Sequence, residues 1–154
     1  MVSLREITEA NREAVEALRV APSQERFVSS VAQSLAEAAE HSGARAIYWA
    51  VYDDDTPVGF VMIADEVDGP DYIPQYLWKL LIDERHQRQG YGVAALDLIV
   101  EYFRERPGVE ELNTSAHPGD GGPLPFYERY GFERTGEVAE GEVVLRLELR
   151  QPAI

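Results

Sequence analysis

The chain contains no cysteine. That excludes thiol nucleophiles, disulfides and cysteine-held metal, and it fits a reducing compartment. No stretch approaches the roughly 18 consecutive apolar residues of a membrane helix. The opening MVSLREITEANRE lacks the apolar run of a signal peptide. Positive charge is scarce: 14 lysines and arginines face 28 aspartates and glutamates, for a net charge of −14. A field of that sign disfavours nucleic acid and acidic membranes and favours the approach of a cation such as an amine, although it also serves solubility alone. Internal repeats and low-complexity tracts are absent as well. The expectation is a cytoplasmic protein with no nucleic-acid or membrane partner and no metal.

What is present suits one core. A chain of 154 residues, 45% hydrophobic, implies a single domain over 1–154. Val2 to Glu6 reads as a strand and Thr8 to Arg19 as a helix, with Ala14, Val15 and Leu18 on one face. Ser23 is placed to cap a second helix reaching about His41, because Phe27, Val28, Val31, Leu35, Ala38 and Ala39 recur at helical spacing. Ala46 to Tyr52 and Pro57 to Ala64 form a hairpin, and Gly59 inside it signals a bulge or a close backbone approach. Gln75 to Ile82 is a strand, about Gly90 to Arg106 a helix, Val109 to Ser115 a strand and Leu124 to Tyr130 a short helix. Glu133 to Val138 and Glu142 to Leu149 close the chain as a hairpin. The order β α α β β β α β α β β predicts an α+β domain rather than strict alternation.

The stretch Leu77 to Phe103 stands out. It runs from an apolar strand through a loop with Arg85 and Arg88 to Gly90 and Gly92, where an amphipathic helix begins. The free N–H groups and partial positive charge of a helix start hold anions. Gly90 to Ala95 formally matches the dinucleotide fingerprint, but seven residues separate Ile82 from Gly90 and the next strand ends Thr114-Ser115-Ala116 with no acid. No Gly-Lys-Ser/Thr of a phosphate loop is present either.

Gln87-Arg88-Gln89-Gly90-Tyr91-Gly92 resembles the acetyl-coenzyme A loop of the GNAT N-acetyltransferases, whose pattern is Arg/Gln-x-x-Gly-x-Gly/Ala. About 35 residues on, Phe126-Tyr127-Glu128-Arg129-Tyr130-Gly131-Phe132 is similar to the family's Tyr-x-x-x-Gly-Phe segment. The N-terminal half, including Ser23-Gln24, Phe27-Val28 and Asp55 to Met62, is similar to bacterial spermine/spermidine acetyltransferases of the diamine type. The resemblance implies a GNAT fold, with a mixed, mostly antiparallel seven-stranded sheet and about four helices. It also implies acetyl transfer from acetyl-CoA to a primary amine, a polyamine or diamine first, and a homodimer as one assembly. The alternatives are another amine (antibiotic, amino acid or peptide N-terminus) and a non-catalytic acyl-CoA sensor.

The resemblance assigns roles residue by residue. Leu80, Leu81 and Ile82 would lie along the pantetheine arm, and Gln87, Arg88, Gln89, Gly90, Tyr91, Gly92 and Val93 would cradle the pyrophosphate. Tyr127 would protonate the departing thiolate, and its alternative role is aromatic packing beside Phe126 and Phe132. Many family members carry a glutamate on the cofactor strand, but Leu77-Trp78-Lys79 has no acid. The base is therefore water or a flanking residue, with Glu66, Asp71, His117 and Asp120 as candidates. Tyr72, Tyr76, Trp78 and His117 are candidates for the amine pocket, since aromatics hold cationic stems. The insert His117 to Pro125, rich in glycine and proline, departs from the simpler spacing of the polyamine enzymes.

Overall fold

A computed structural model describes residues 1–150, so the last four residues of the expected 1–154 domain lie outside the described residues. Among the described residues seven strands form one sheet: β1 (Val2–Arg5), β2 (Ala46–Asp53), β3 (Thr56–Ala64), β4 (Tyr76–Ile82), β5 (Glu111–Ala116), β6 (Glu133–Ala139) and β7 (Glu142–Glu148). Their spatial order is β1-β2-β3-β4-β5-β7-β6, and only β4 and β5 run parallel. Among the described residues four α-helices cover it: α1 (Arg12–Glu16), α2 (Val31–Glu40), α3 (Tyr91–Arg104) and α4 (Leu124–Tyr130). This is the expected α+β architecture, a mixed and mostly antiparallel sheet.

The sheet is buried on both faces in its middle, which is why β3 reads as a continuous apolar run rather than an alternating one. Val58, Val61 and Ile63 join Leu96, Ile99 and Phe103 of α3 on one side. Phe60 and Met62 join Val15, Leu18 and Val31 on the other. The apolar stripe of α3 contains Leu96, Ile99, Val100 and Phe103, all buried, as its 3.6-residue period requires.

Both N-terminal helices are shorter than their periodicity suggests. The first is Arg12–Glu16, not Thr8 to Arg19. Thr8 does not cap it; the Thr8 N–H instead donates to Asn11 Oδ1 at 2.7 Å. At the far end the Arg19 N–H leaves the helical ladder to donate to Asp83 Oδ2 at 2.9 Å. The second helix is capped by Ser30, not Ser23: Ser30 Oγ accepts from the Gln33 N–H at 3.1 Å and Gln33 Oε1 accepts from the Ser30 N–H at 3.0 Å. Residues Pro22–Gln24 form only a single 3-10 turn. The intervening chain is drawn out of helix by Phe27, whose ring packs against the distant Gly119 and Gly122. A tertiary contact overrides local periodicity here.

Gly59 meets both halves of its expectation. The register steps from Val51↔Gly59 to Tyr52↔Pro57, leaving Val58 as an extra residue in β3. A Cβ on Gly59 would lie 2.4 Å from the Leu81 carbonyl oxygen. Gly59→Ala therefore forces β3 and β4 apart and is expected to lower stability by about 1–3 kcal/mol. Thermal unfolding followed by circular dichroism measures this, and an unchanged midpoint would refute the close approach.

Candidate active site

The central feature is where β4 stops touching β5. The two strands pair only at Tyr76↔Asn113 and Leu77↔Thr114. That junction is pinned: Thr114 Oγ1 donates to the Leu77 carbonyl at 2.9 Å, the Asn113 N–H donates to the Gln75 carbonyl at 2.7 Å, and the Tyr76 hydroxyl bonds to Ser115 Oγ. Beyond it the strands part. The cause lies on the other edge of β4, where the ladder steps from Met62↔Lys79 to Ile63↔Leu77 and leaves Trp78 as a bulged residue. A bulge bends the strand that carries it.

The bend leaves β4 with an open edge. The Asp83 N–H donates to the Val58 carbonyl at 2.8 Å, so Asp83 and Leu81 turn their backbone groups toward β3. Alternation then points those of Leu80 and Ile82 into the gap. The Ile82 carbonyl is met there by Gln87 Nε2 at 2.9 Å. Gln87 also pairs with Gln24, its Nε2 donating to Gln24 Oε1 at 2.8 Å. The Gln87 side chain thus ties the loop to the strand end and to the turn at Pro22–Gln24.

Helix α3 starts at the mouth of this gap. Gly90 takes φ 83°, a left-handed turn that a Cβ would strain, and Arg88 is also left-handed at φ 64°. The helix begins with no side-chain cap, and its first backbone bond runs from the Ala94 N–H to the Gly90 carbonyl at 3.0 Å. The N–H groups of Tyr91, Gly92 and Val93 precede that bond and are left for a ligand. The Tyr91 side chain fixes the helix start to the β2–β3 turn, its hydroxyl donating to Asp53 Oδ2 at 2.6 Å. That bond is the largest of the contacts holding the Asp53 carboxyl below its ordinary range. Gly92 faces α4: a Cβ there would lie 3.4 Å from the Phe126 ring.

Strand edge, loop, helix start and α4 enclose one cavity of about 560 Å³. Of the residues expected around a cofactor, Leu80, Ile82, Gln87, Arg88, Gly90, Tyr91, Gly92 and Val93 line it, together with Tyr127. The Leu81 side chain points the other way, into the core beside Val15 and Leu18. Gln89 is not on the wall. Arg85 is turned toward Asp83, with Nε 2.9 Å from Oδ1.

Tyr127 sits at the inner end, 7% exposed, between Phe126 and Phe132 at ring separations of 5.4 and 5.5 Å. Burial pushes its phenol well above the ordinary tyrosine range, and the nearby Tyr76 adds to this, while a hydrogen bond with Thr114 opposes it. The hydroxyl therefore keeps its proton throughout the physiological range.

A second cavity, of about 750 Å³, adjoins the first across a shared wall that includes Tyr76, Trp78, Lys79 and Ser115. All four residues expected around the amine, Tyr72, Tyr76, Trp78 and His117, line it. Of the candidate bases, Asp71 and His117 are on its wall. Glu66 is engaged elsewhere, 2.7 Å from Arg106 Nη2. Asp120 presents its backbone carbonyl to Arg26 Nη2 at 2.9 Å. The insert is explained by the same contact region: a Cβ on Gly122 would come within 2.8 Å of the Phe27 ring, so glycine lets the loop close over Phe27.

Several wall residues had no signal in the sequence. Glu37 and His41 lie one turn apart at the end of α2, Glu142 opens β7, and the two ends meet only in the folded chain. Arg129 lines the first cavity and was legible only as a neighbour of Tyr127.

An opened parallel strand pair with a helix N-terminus at its mouth and a buried phenol at its inner end is the architecture of an acyl-CoA-dependent acetyltransferase. The chain belongs to the acetyltransferase (GNAT) family, whose family model matches residues 7–132, and its acyl donor is acetyl-CoA. It is 26% identical over 152 residues to the spermine/spermidine N(1)-acetyltransferase of Bacillus subtilis (strain 168), covering 96% of this chain and 99% of that one. Its fold is similar to the aminoglycoside acetyltransferase AAC(6')-Ib in complex with coenzyme A (TM-score 0.71, 17% identity, 96% and 95% coverage). It is also similar to the ribosomal-protein-S18-alanine N-acetyltransferase of Escherichia coli (TM-score 0.65, 16% identity, 99% and 97% coverage).

The left-handed turn at Gly90 generates a direct test. Gly90→Ala adds strain of about 1–2 kcal/mol in that conformation and shifts the free N–H groups, so CoA affinity should fall about tenfold. Calorimetric titration with CoA reads the loss, and an unaltered affinity would show that the turn does not set the grip.

Proposed function

We propose that the chain acetylates a primary amine of a small cationic acceptor, a diamine or polyamine, by direct transfer from acetyl-CoA. The observation that carries this reading is the meeting of two cavities at one wall. One is built from backbone donors and Tyr127; the other is acidic and aromatic. The second cavity is lined by five acids (Glu25, Glu37, Asp71, Glu140, Glu142) against two bases, Arg26 and Lys79. An excess of three negative charges beside Tyr72 and Trp78 favours an ammonium-bearing guest. The similarity to a spermine/spermidine N(1)-acetyltransferase supports the same class.

In this reading the open edge of β4, at Leu80 and Ile82, holds the pantetheine arm as an added strand would be held. The N–H groups of Tyr91, Gly92 and Val93 meet the pyrophosphate, with Arg88 and Arg129 supplying charge nearby. The acceptor amine, neutral at the moment of attack, enters from the second cavity and adds to the thioester carbon. The amine nitrogen then gives up a proton to water in the cavity, beside Asp71 and His117. As the C–S bond breaks, Tyr127 gives its proton to the leaving sulfur and recovers one from the cavity water that took the amine's proton, so the products are an N-acetylamine and free CoA thiol.

Tyr127→Phe should lower kcat about 100-fold or more while CoA affinity stays within about twofold, since the phenol acts on the leaving sulfur rather than on the pyrophosphate. The rate should climb between about pH 6 and 9 as the acceptor loses its proton, with no falling limb from Tyr127 in that interval, because burial holds its proton on. A CoA-release assay with putrescine, spermidine, spermine and amino acids measures both. No release with any amine would refute the acetylation of small amines.

A further inference from the structure

Lys79 is the only lysine among the chain's 14 lysines and arginines, and it lies in the wall shared by the two cavities. Its position follows from the bulge. Along a regular strand Trp78 and Lys79 would point to opposite faces. With Trp78 bulged, its ring packs on the α2 side and the Lys79 side chain reaches the same side. There the ammonium lies 3.0 Å from Glu37 Oε2 and donates to Ser29 Oγ at 3.1 Å, with the lysine side chain only 14% exposed. Glu37 Oε2 is enclosed and receives no aligned hydrogen bond, so charge rather than a directed bond holds the pair. His41 stands 6.1 Å from the Trp78 ring and 6.2 Å from that of Tyr72, continuing an aromatic wall beside it.

A carboxylate, a hydroxyl and aromatic faces around a compact primary ammonium form the environment that would hold the ammonium of a substrate. Here the occupant is tethered. A tethered group competes at an effective concentration in the millimolar range or above, so a dissolved cation must displace an intramolecular pair to enter. Arginine, thirteen times preferred elsewhere, is a wider, planar cation and not a like-for-like replacement in a site shaped to an ammonium.

We propose that Lys79 is a specificity-determining residue whose ammonium fills a cation subsite, Glu37–Ser29, that would otherwise take the distal ammonium of a long polyamine. The chain therefore favours short diamines over spermine-length acceptors. This rests on the amine-acetylating reading above. Asp71, Glu140 and Glu142 remain on the wall to draw in the reacting amine.

Lys79→Gln, one atom shorter, retains a side-chain N–H donor for Ser29 but removes the charge. The ratio of kcat/KM for spermine to that for putrescine should rise about tenfold in this variant, through KM rather than kcat. Adding Glu37→Gln should cancel the gain. Lys79→Met provides the same readout should the glutamine variant fold poorly. Spermine binding by calorimetry reads the subsite without turnover and should tighten about tenfold in Lys79→Gln. An unchanged or lowered spermine preference and affinity would overturn the proposal, as would a gain that survives Glu37→Gln. Absence of CoA release from the unmodified chain with every amine tells against acetylation itself, and the calorimetric comparison then still decides the role of Lys79.

Discussion

The parting of β4 from β5 is the constraint on which the rest of the molecule depends. A sheet normally satisfies its backbone groups strand by strand, and an interior strand with an unpaired edge is costly unless something else occupies it. Here the gap is held open from both sides. The bulge at Trp78 bends β4, and the Tyr76, Asn113 and Thr114 contacts pin the closed end. Everything chemically useful is arranged around that gap: backbone at Leu80 and Ile82 that no strand pairs, with the Ile82 carbonyl met by the Gln87 side chain, a helix start at its mouth, and a buried phenol at its inner end.

The bulge does a second job. By placing consecutive side chains toward α2, it gives the wall between donor and acceptor cavities both an aromatic ring and an ammonium. The loops on either side then complete the enclosure. Arg26 and Phe27 meet Asp120, Gly119 and Gly122, so two segments about 95 residues apart in sequence bridge the gap. The glycines of the insert are explained by this closure, since a Cβ at Gly122 would collide with the ring it covers. The same contact explains why the N-terminal half of the predicted second helix is not helical.

Much of the donor side was legible from short-range signals. Gly90 and Gly92 before an amphipathic stripe mark a helix start whatever surrounds it, and Tyr127 with Gly131-Phe132 marks a short helix with a glycine stop. The Gly131 N–H does close the helix end, donating to the Tyr127 and Glu128 carbonyls at 3.2 Å each. Leu81 shows the limit of such reading: a run of three apolar residues does not reveal which one turns its side chain away. The acceptor side was legible only in its aromatics. Glu37 and His41 stand one helical turn apart at the end of α2, and no spacing in the chain links them to Glu142 at the start of β7.

The sequence by itself determined the elements, the α+β class and the anion-holding helix start, because these follow from periodicity, backbone freedom at glycine and the polarity of a helix end. The tertiary structure alone decided the register slip at Trp78, the side to which Lys79 points, its pairing with Glu37 and the true start of α2. Each of these depends on contacts between segments tens of residues apart, and a one-residue step in a strand reverses every side chain beyond it.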